Sequence, residues 1–198
     1  MRSWCVRILS WTLRAAPGFL AAATAAHALT LPELLKSMSE VQAQQGRFVE
    51  QRTLSLLDKP LVITGVLSYR RPDFLQRRTD TPTRELMSVS GDRLTVEWPD
   101  RHEQRTLSLS SNPMLWAFVE SIRATLAGDG PSLQRFYWAS LSGDLRHWSL
   151  TLEPRSSDIA ARVKSIVIGG SGSVIAHVDV LEESGDRSVM DIKPVASP

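Results

Sequence analysis

With 198 residues, 42% of them hydrophobic, the chain carries enough apolar side chain to build one domain around a substantial core. Its 23 Lys and Arg nearly balance 21 Asp and Glu, and the basic surplus lies at the very start, so the charge gives no licence for nucleic-acid binding. A single cysteine, Cys5, rules out a disulfide framework.

The first residues read as a leader. Arg2, Arg7 and Arg14 form a positive n-region, Ala15 to Ala26 a small apolar run, and Ala26-His27-Ala28 a cleavage signature of the A-x-A kind. Residues 1–28 are therefore expected to be a cleaved signal peptide; the apolar run is too short to span a bilayer. The remainder, 29–198, holds 20 basic and 21 acidic residues and no cysteine. It reads as a single soluble domain suited to an exported, oxidising compartment.

Thr30-Leu31-Pro32-Glu33 opens a helix with the pattern of a capping box. Leu31, Leu34, Leu35, Met38 and Val41 share its apolar face, and the polar run from Gln42 to Gly46 is expected to end it. Arg47 to Arg52 leads into a first strand. From Pro60 to Trp98 four short strands follow in a meander. Leu61, Ile63, Leu67 and Tyr69 alternate with Val62, Thr64, Val66 and Ser68, and Arg71-Pro72 stops the run. Phe74 to Thr79 and Glu85 to Val89 are the next two strands. Ser90-Gly91-Asp92 turns into a fourth with Leu94, Val96 and Trp98 on one face. Leu107 and Leu109 alternate in one strand more.

The period then changes. Asn112-Pro113 starts a helix carrying Leu115, Phe118, Val119, Ile122 and Leu126 on one stripe, flanked by Met114 and Trp116, and stopped by Gly128. Asp129-Gly130-Pro131 starts a second, with Leu133, Phe136, Tyr137 and Leu141 on one face and Gly143 as its end. Strands resume at Trp148 to Leu152 and Lys164 to Ile168. A glycine-rich turn at 169–173 follows, then a hairpin of Val174–Leu181 with Arg187–Ile192. The pattern is that of an α+β domain with an antiparallel sheet.

Nothing in this pattern points to catalysis. His102, His147 and His177 are widely spaced, and none has a second ligand at metal spacing. Gly169 to Ser173 matches neither a nucleophile elbow nor a phosphate loop. Asp80, Glu85, Asp92 and Glu97 lie near strand ends, where carboxylates usually face water. Arg70, Arg71, Arg77 and Arg78 read as a solvated strand edge that deters aggregation. No cofactor or metal is expected. The other possibility is an apolar cavity: if the sheet curls, its concave face is filled either by side chains or by a ligand, with residues 113–142 as a lid.

Phe48-x-x-Gln51, then Gly65-x-Leu67-x-Tyr69-x-Arg71-Pro72, then Val89-Ser90-Gly91-Asp92-x-Leu94, resembles the outer-membrane lipoprotein carrier LolA family, in order and spacing, from Leu31 to about Ile192. Ala117 to Asp129 resembles a branch of that family associated with aryl-polyene pigment and lipid export clusters. The resemblance implies a strongly curved antiparallel β-sheet, an incomplete β-barrel. An N-terminal helix and a helix-pair lid would cover an apolar cavity for acyl chains. It implies a periplasmic carrier taking an acylated lipoprotein or lipid cargo from an inner-membrane exporter to an outer-membrane acceptor; a monomer with no nucleic-acid partner is expected. The family's arginine that latches the lid through helix backbone falls on Arg71, and its cavity phenylalanine falls on Leu75, which is smaller. Other members continue for one more strand where this chain ends at Lys193 to Pro198, which puts the usual membrane partners in question. The cavity candidates are Leu67, Tyr69, Leu75, Leu94, Val96, Trp98, Leu115, Trp116, Phe118, Val119, Ile122, Phe136 and Leu150. Which of them face inward depends on strand register, since a slip of one residue inverts the set. The alternatives are a lipid sensor on the same fold, signalling through a protein partner, and an unrecognised hydrolase.

Overall fold

A computed structural model of the chain describes residues 29–195; the leader read at 1–28 lies outside the described residues. Helix α1 spans Leu31–Ser39. Its first turn is closed as the sequence predicts, the Thr30 amide and hydroxyl both donating to the Glu33 carboxylate, at 2.9 and 2.7 Å. Strands β1 (Ala43–Thr53), β2 (Leu61–Arg70), β3 (Phe74–Thr81), β4 (Glu85–Ser90), β5 (Arg93–Trp98) and β6 (Glu103–Ser108) follow as a meander. Helices α2 (Pro113–Ala127) and α3 (Gly130–Phe136) interrupt it. Strands β7 (Tyr137–Asp144) and β8 (His147–Pro154), a single turn α4 (Ser157–Ala160), and strands β9 (Val163–Ser171), β10 (Val174–Glu182) and β11 (Arg187–Pro194) complete the fold.

All eleven strands form one antiparallel sheet in the order β6-β5-β4-β3-β2-β1-β11-β10-β9-β8-β7. Strand β1 is the seam: it pairs β2 on one side and β11 on the other, so the last strand closes onto the first. Strands β6 and β7 are unpaired edges, and the barrel stays open. Irregular register at Thr64/Gly65, Ile175/His177 and Leu181/Glu182 adds local twist. Ile63 and Tyr69 of β2 share one buried cluster with Leu150, Ile166, Ile168 and Val178 of β8 to β10, which a flat sheet would hold far apart.

Three elements differ from the sequence expectation. Strand β1 begins at Ala43, so the polar run read as a helix end is paired, Gln44 with Tyr69 and Gly46 with Leu67; hydropathy carries no trace of that pairing. Leu109 leaves the strand for a 3-10 turn, Leu109–Ser111, where it is buried, while β6 is exposed throughout. The largest correction concerns residues 137–143. They form β7, not the second half of a helix, so the helix pair ends at Phe136. Tyr137, Ala139 and Leu141 satisfy a two-residue period as well as a helical one, and β8 offers them a full ladder.

Helix α2 is buried on two sides. Leu115, Phe118, Val119 and Ile122 face the sheet, while Ala117, Ser121, Ala124 and Thr125 are buried along the stripe that ends at Gly128. There α1 comes close: with φ +70°, a Cβ added to Gly128 would lie 2.2 Å from the Leu35 carbonyl oxygen. In the sheet, Gly65 sits opposite Phe48, and a Cβ there would fall 1.9 Å from the Arg78 carbonyl oxygen and 2.8 Å from the Phe48 ring. Gly65→Ala is expected to lose about 1–3 kcal/mol by overpacking. Urea unfolding checks this, and an unchanged midpoint would mean the seam yields freely.

Candidate functional site

Curvature leaves a cavity of about 700 Å³ between the concave sheet face and α2. Strand parity decides what lines it. Along β1, Gly46, Glu50 and Arg52 point inward; along β2, Ile63, Leu67 and Tyr69; along β3, Leu75, Arg77 and Thr79; along β4, Glu85, Met87 and Val89. Met190 and Ile192 of β11 and Val178 and Val180 of β10 form the opposite wall. Helix α2 supplies Leu115, Phe118, Val119, Ile122 and Leu126, its whole apolar stripe.

Of the cavity candidates, the structure brings Leu67, Tyr69, Leu75, Trp98, Leu115, Phe118, Val119 and Ile122 to the cavity wall. Leu94 and Val96 instead pack with Val89, Leu109 and Val119 in a cluster of their own. Trp116 meets Phe136 edge to face, ring centroids 4.5 Å apart, outside the wall. Leu150 is fully buried in the main core. Sequence reasoning missed the β10–β11 wall. The break in pairing between Ile175 and His177 shifts the parity there, and nothing local announces such a bulge.

One part of the wall is charged. Glu50 is 1% exposed. Its carboxylate accepts from Arg77 Nη2 at 2.6 Å, Arg52 Nη2 at 2.9 Å and Ser188 Oγ at 2.6 Å. The Arg77 guanidinium also lies 4.7 Å over the Phe48 ring. Arg77 is therefore not solvated; Arg70 and Arg78 are exposed, Arg78 paired with Asp80, but β2 and β3 lie inside the sheet, so none of the four arginines guards a sheet edge. Glu85 is corrected too: it lines the cavity and accepts from Trp98 Nε1 at 3.0 Å instead of facing water alone. The signal available was parity, since Glu50 shares the inward face of β1 with Phe48.

Two arginines pin the helices. Arg71 Nη1 donates to the Ser39 carbonyl oxygen at the end of α1, and its amide donates to Gln42 at 2.9 Å. It therefore holds the N-terminal helix and not the 113–142 segment. Arg123 of α2, which the sequence reading passed over, donates through Nη1 to the Gly91 carbonyl oxygen at 3.1 Å. Its Nη2 lies 3.7 Å from Asp73, whose carboxylate accepts the Gly91 amide at 2.6 Å. So α2 is tied to the β2–β3 and β4–β5 turns. Among the described residues, no three His, Cys, Asp or Glu side chains gather as a metal site requires. No helix among them is long and apolar enough to cross a membrane.

Burial by itself would raise the Glu50 pKa, but Arg77, Ser188 and Arg52 outweigh it and hold the carboxyl below its ordinary 4.5. A carboxylate with a depressed folded pKa contributes stability above the unfolded value and loses it as pH falls through the folded one. Urea midpoints measured from pH 7 to 3 should therefore fall more steeply below about 4.5 in the wild type than in Glu50→Gln; parallel curves would uncouple Glu50 from acid unfolding.

The sequence pattern of the family described as "Outer membrane lipoprotein carrier protein LolA-like" matches residues 22–191. No curated protein sequence matches the chain. Among solved structures, a LolA superfamily protein from Nitrosomonas europaea is similar over 86% of this chain and 95% of its own, at 10% identity and a TM-score of 0.43. A putative outer membrane lipoprotein-sorting protein domain from Vibrio parahaemolyticus is similar over 85% and 92%, at 10% identity and 0.47. The MucA/MucB complex of Pseudomonas aeruginosa is similar over 85% of this chain and 58% of that one, at 17% identity and 0.47.

Proposed function

Because this chain belongs to the outer membrane lipoprotein carrier protein LolA-like family, we propose that residues 29–198 form one periplasmic domain, exported by its leader. In this reading the domain shields the acyl chains of a lipoprotein or other lipid on the way to the outer membrane. The observation that carries it is the cavity. At about 700 Å³ it falls within the range of ligand pockets, and half of its lining residues are Leu, Ile, Val, Met or Phe. An inner-membrane exporter and an outer-membrane acceptor are the partners such a route requires. The reading assigns no catalytic role to any residue.

Energetics shape how such a carrier works. An acyl chain of about sixteen carbons gains roughly 12 kcal/mol on burial at ~0.8 kcal/mol per CH₂. Release therefore requires that the loaded, opened protein be at a disadvantage relative to the closed one. The Arg71 bond to the end of α1 and the Arg123 bond to the Gly91 turn supply that disadvantage, because opening breaks them. Each charged hydrogen bond contributes about 1.5–3 kcal/mol.

Protein purified from periplasm is expected to yield acyl species on solvent extraction and mass spectrometry, and the delipidated protein to take up fatty acid. A lipid-free preparation that also fails to take up fatty acid would sink the proposal. Arg71→Leu is expected to keep the fold while losing about 1.5–3 kcal/mol of stability and to release bound fatty acid to acceptor vesicles more slowly. A transfer rate equal to the wild type would remove the latch role from Arg71.

A further inference from the structure

Among the described residues, the Tyr69 hydroxyl is the buried side-chain polar atom that finds no hydrogen-bond partner. The residue is 4% exposed and lines the cavity, between Gln44 on β1 and Leu75 on β3. Other buried hydroxyls in this protein are satisfied: Tyr137 donates to the Ala117 carbonyl at 2.8 Å, and Thr125 to that of Ser121 at 2.7 Å. An orphan of this kind is rare in folded proteins and calls for a physical account.

The charged groups around the ring are already engaged. Arg71 is bonded to Ser39, Arg123 to Gly91, and the Asp73 carboxylate to the Gly91 amide. Burial pushes the phenol above its ordinary pKa, against the pull of Arg71 and Arg123, so at neutral pH it keeps its proton and can donate. Beside the ring the cavity wall itself is apolar, with Leu75 directly across on β3 and Leu67 two residues back on β2.

The charged wall lies at the other end of the cavity. Glu50 is opposite Ile63, which lies about 20 Å from Tyr69 along β2 at ~3.3 Å per residue; Arg77 is anchored nearer, opposite Leu67, and extends its guanidinium to meet Glu50. Arg52 at that end is 42% exposed, marking it as the mouth.

We propose that the cavity selects an amphiphile whose hydrocarbon chain carries an oxygen, as hydroxyl or carbonyl, about 20 Å from its head group, where it hydrogen-bonds to the Tyr69 hydroxyl. The inference rests on the carrier reading above, with the head group held at the Arg52, Glu50 and Arg77 end. A plain alkyl chain would leave the phenol unpaired in the loaded protein. An oxygenated chain removes that penalty and loses its own hydration only in exchange for a bond.

Displacement of anilinonaphthalene sulfonate from the delipidated protein, by palmitic acid and by ω-hydroxypalmitic acid, tests this. In the wild type the hydroxylated acid is expected to bind about tenfold more tightly, the ratio one hydrogen bond supports. In Tyr69→Phe the ratio of the two Kd values should fall to about one. Thermal unfolding of that variant, expected at or above the wild-type midpoint because an unpaired hydroxyl is gone, shows that the fold is kept. Equal affinities in the wild type, or a preference that survives in Tyr69→Phe, would overturn the inference and leave the carrier reading standing. If neither acid displaces the dye, the carrier reading fails and takes this inference with it.

Discussion

An open, curved sheet of eleven strands presents more apolar concave surface than one helix can cover. Helix α2 is the element that reaches into the hollow, and a helix is only about 10–12 Å across with its side chains. On one flank the space is closed by the protein's own residues: Leu150, Leu152, Ile166 and Ile168 are fully buried beneath the helices. On the other flank, beneath β1 to β4, the walls stand apart and the cavity remains. The asymmetry follows from the chain's own bulk. Trp148, Tyr137 and the Trp116–Phe136 pair fill the β7–β9 side, whereas the β2–β4 side carries Tyr69 as its one inward ring, among Leu, Ile, Val, Met and polar side chains and Gly65.

Polar groups inside this hollow give it a direction. A buried ion pair gains little net stability over apolar side chains of the same volume; what Glu50 and Arg77 change is the character of the wall. They make one end of an oily cavity charged, with Ser188 and Arg52 completing the hydrogen bonds of the carboxylate. Tyr69 sits at the opposite end, close to the two arginines that hold α1 and α2 in place. Both ends therefore differ chemically from the apolar middle, and both differ from each other.

The helix attachments are few and local. Arg71 grips the last carbonyl of α1, and Arg123 grips one hairpin turn. Apart from the bond from the Tyr137 hydroxyl to the Ala117 carbonyl, the rest of the α2 interface is non-directional apolar contact. Opening such an interface exchanges only its few directional bonds.

Much of this was legible in the linear order of residues. Period-two stretches marked β2 to β5, the capping box marked α1, and the stripe from Leu115 to Leu126 marked α2, because each depends on neighbours within a turn or two. The family resemblance placed Arg71 at a lid latch, whereas the structure finds it bonded to α1 and not to the 113–142 segment. What sequence could not settle depended on partners distant in the chain. Residues 137–143 fit a helix or a strand equally well until β8 supplied a ladder. Leu94 and Val96 share the inward parity of Trp98, yet the 3-10 turn carrying Leu109 covers them and leaves Trp98 at the cavity. Glu50, Arg77 and Ser188 meet across 138 positions of chain, and no local rule pairs them. Local periodicity thus determined the elements and their apolar faces; only the curvature of the closed seam decided which of those faces touch each other and which are left lining the cavity.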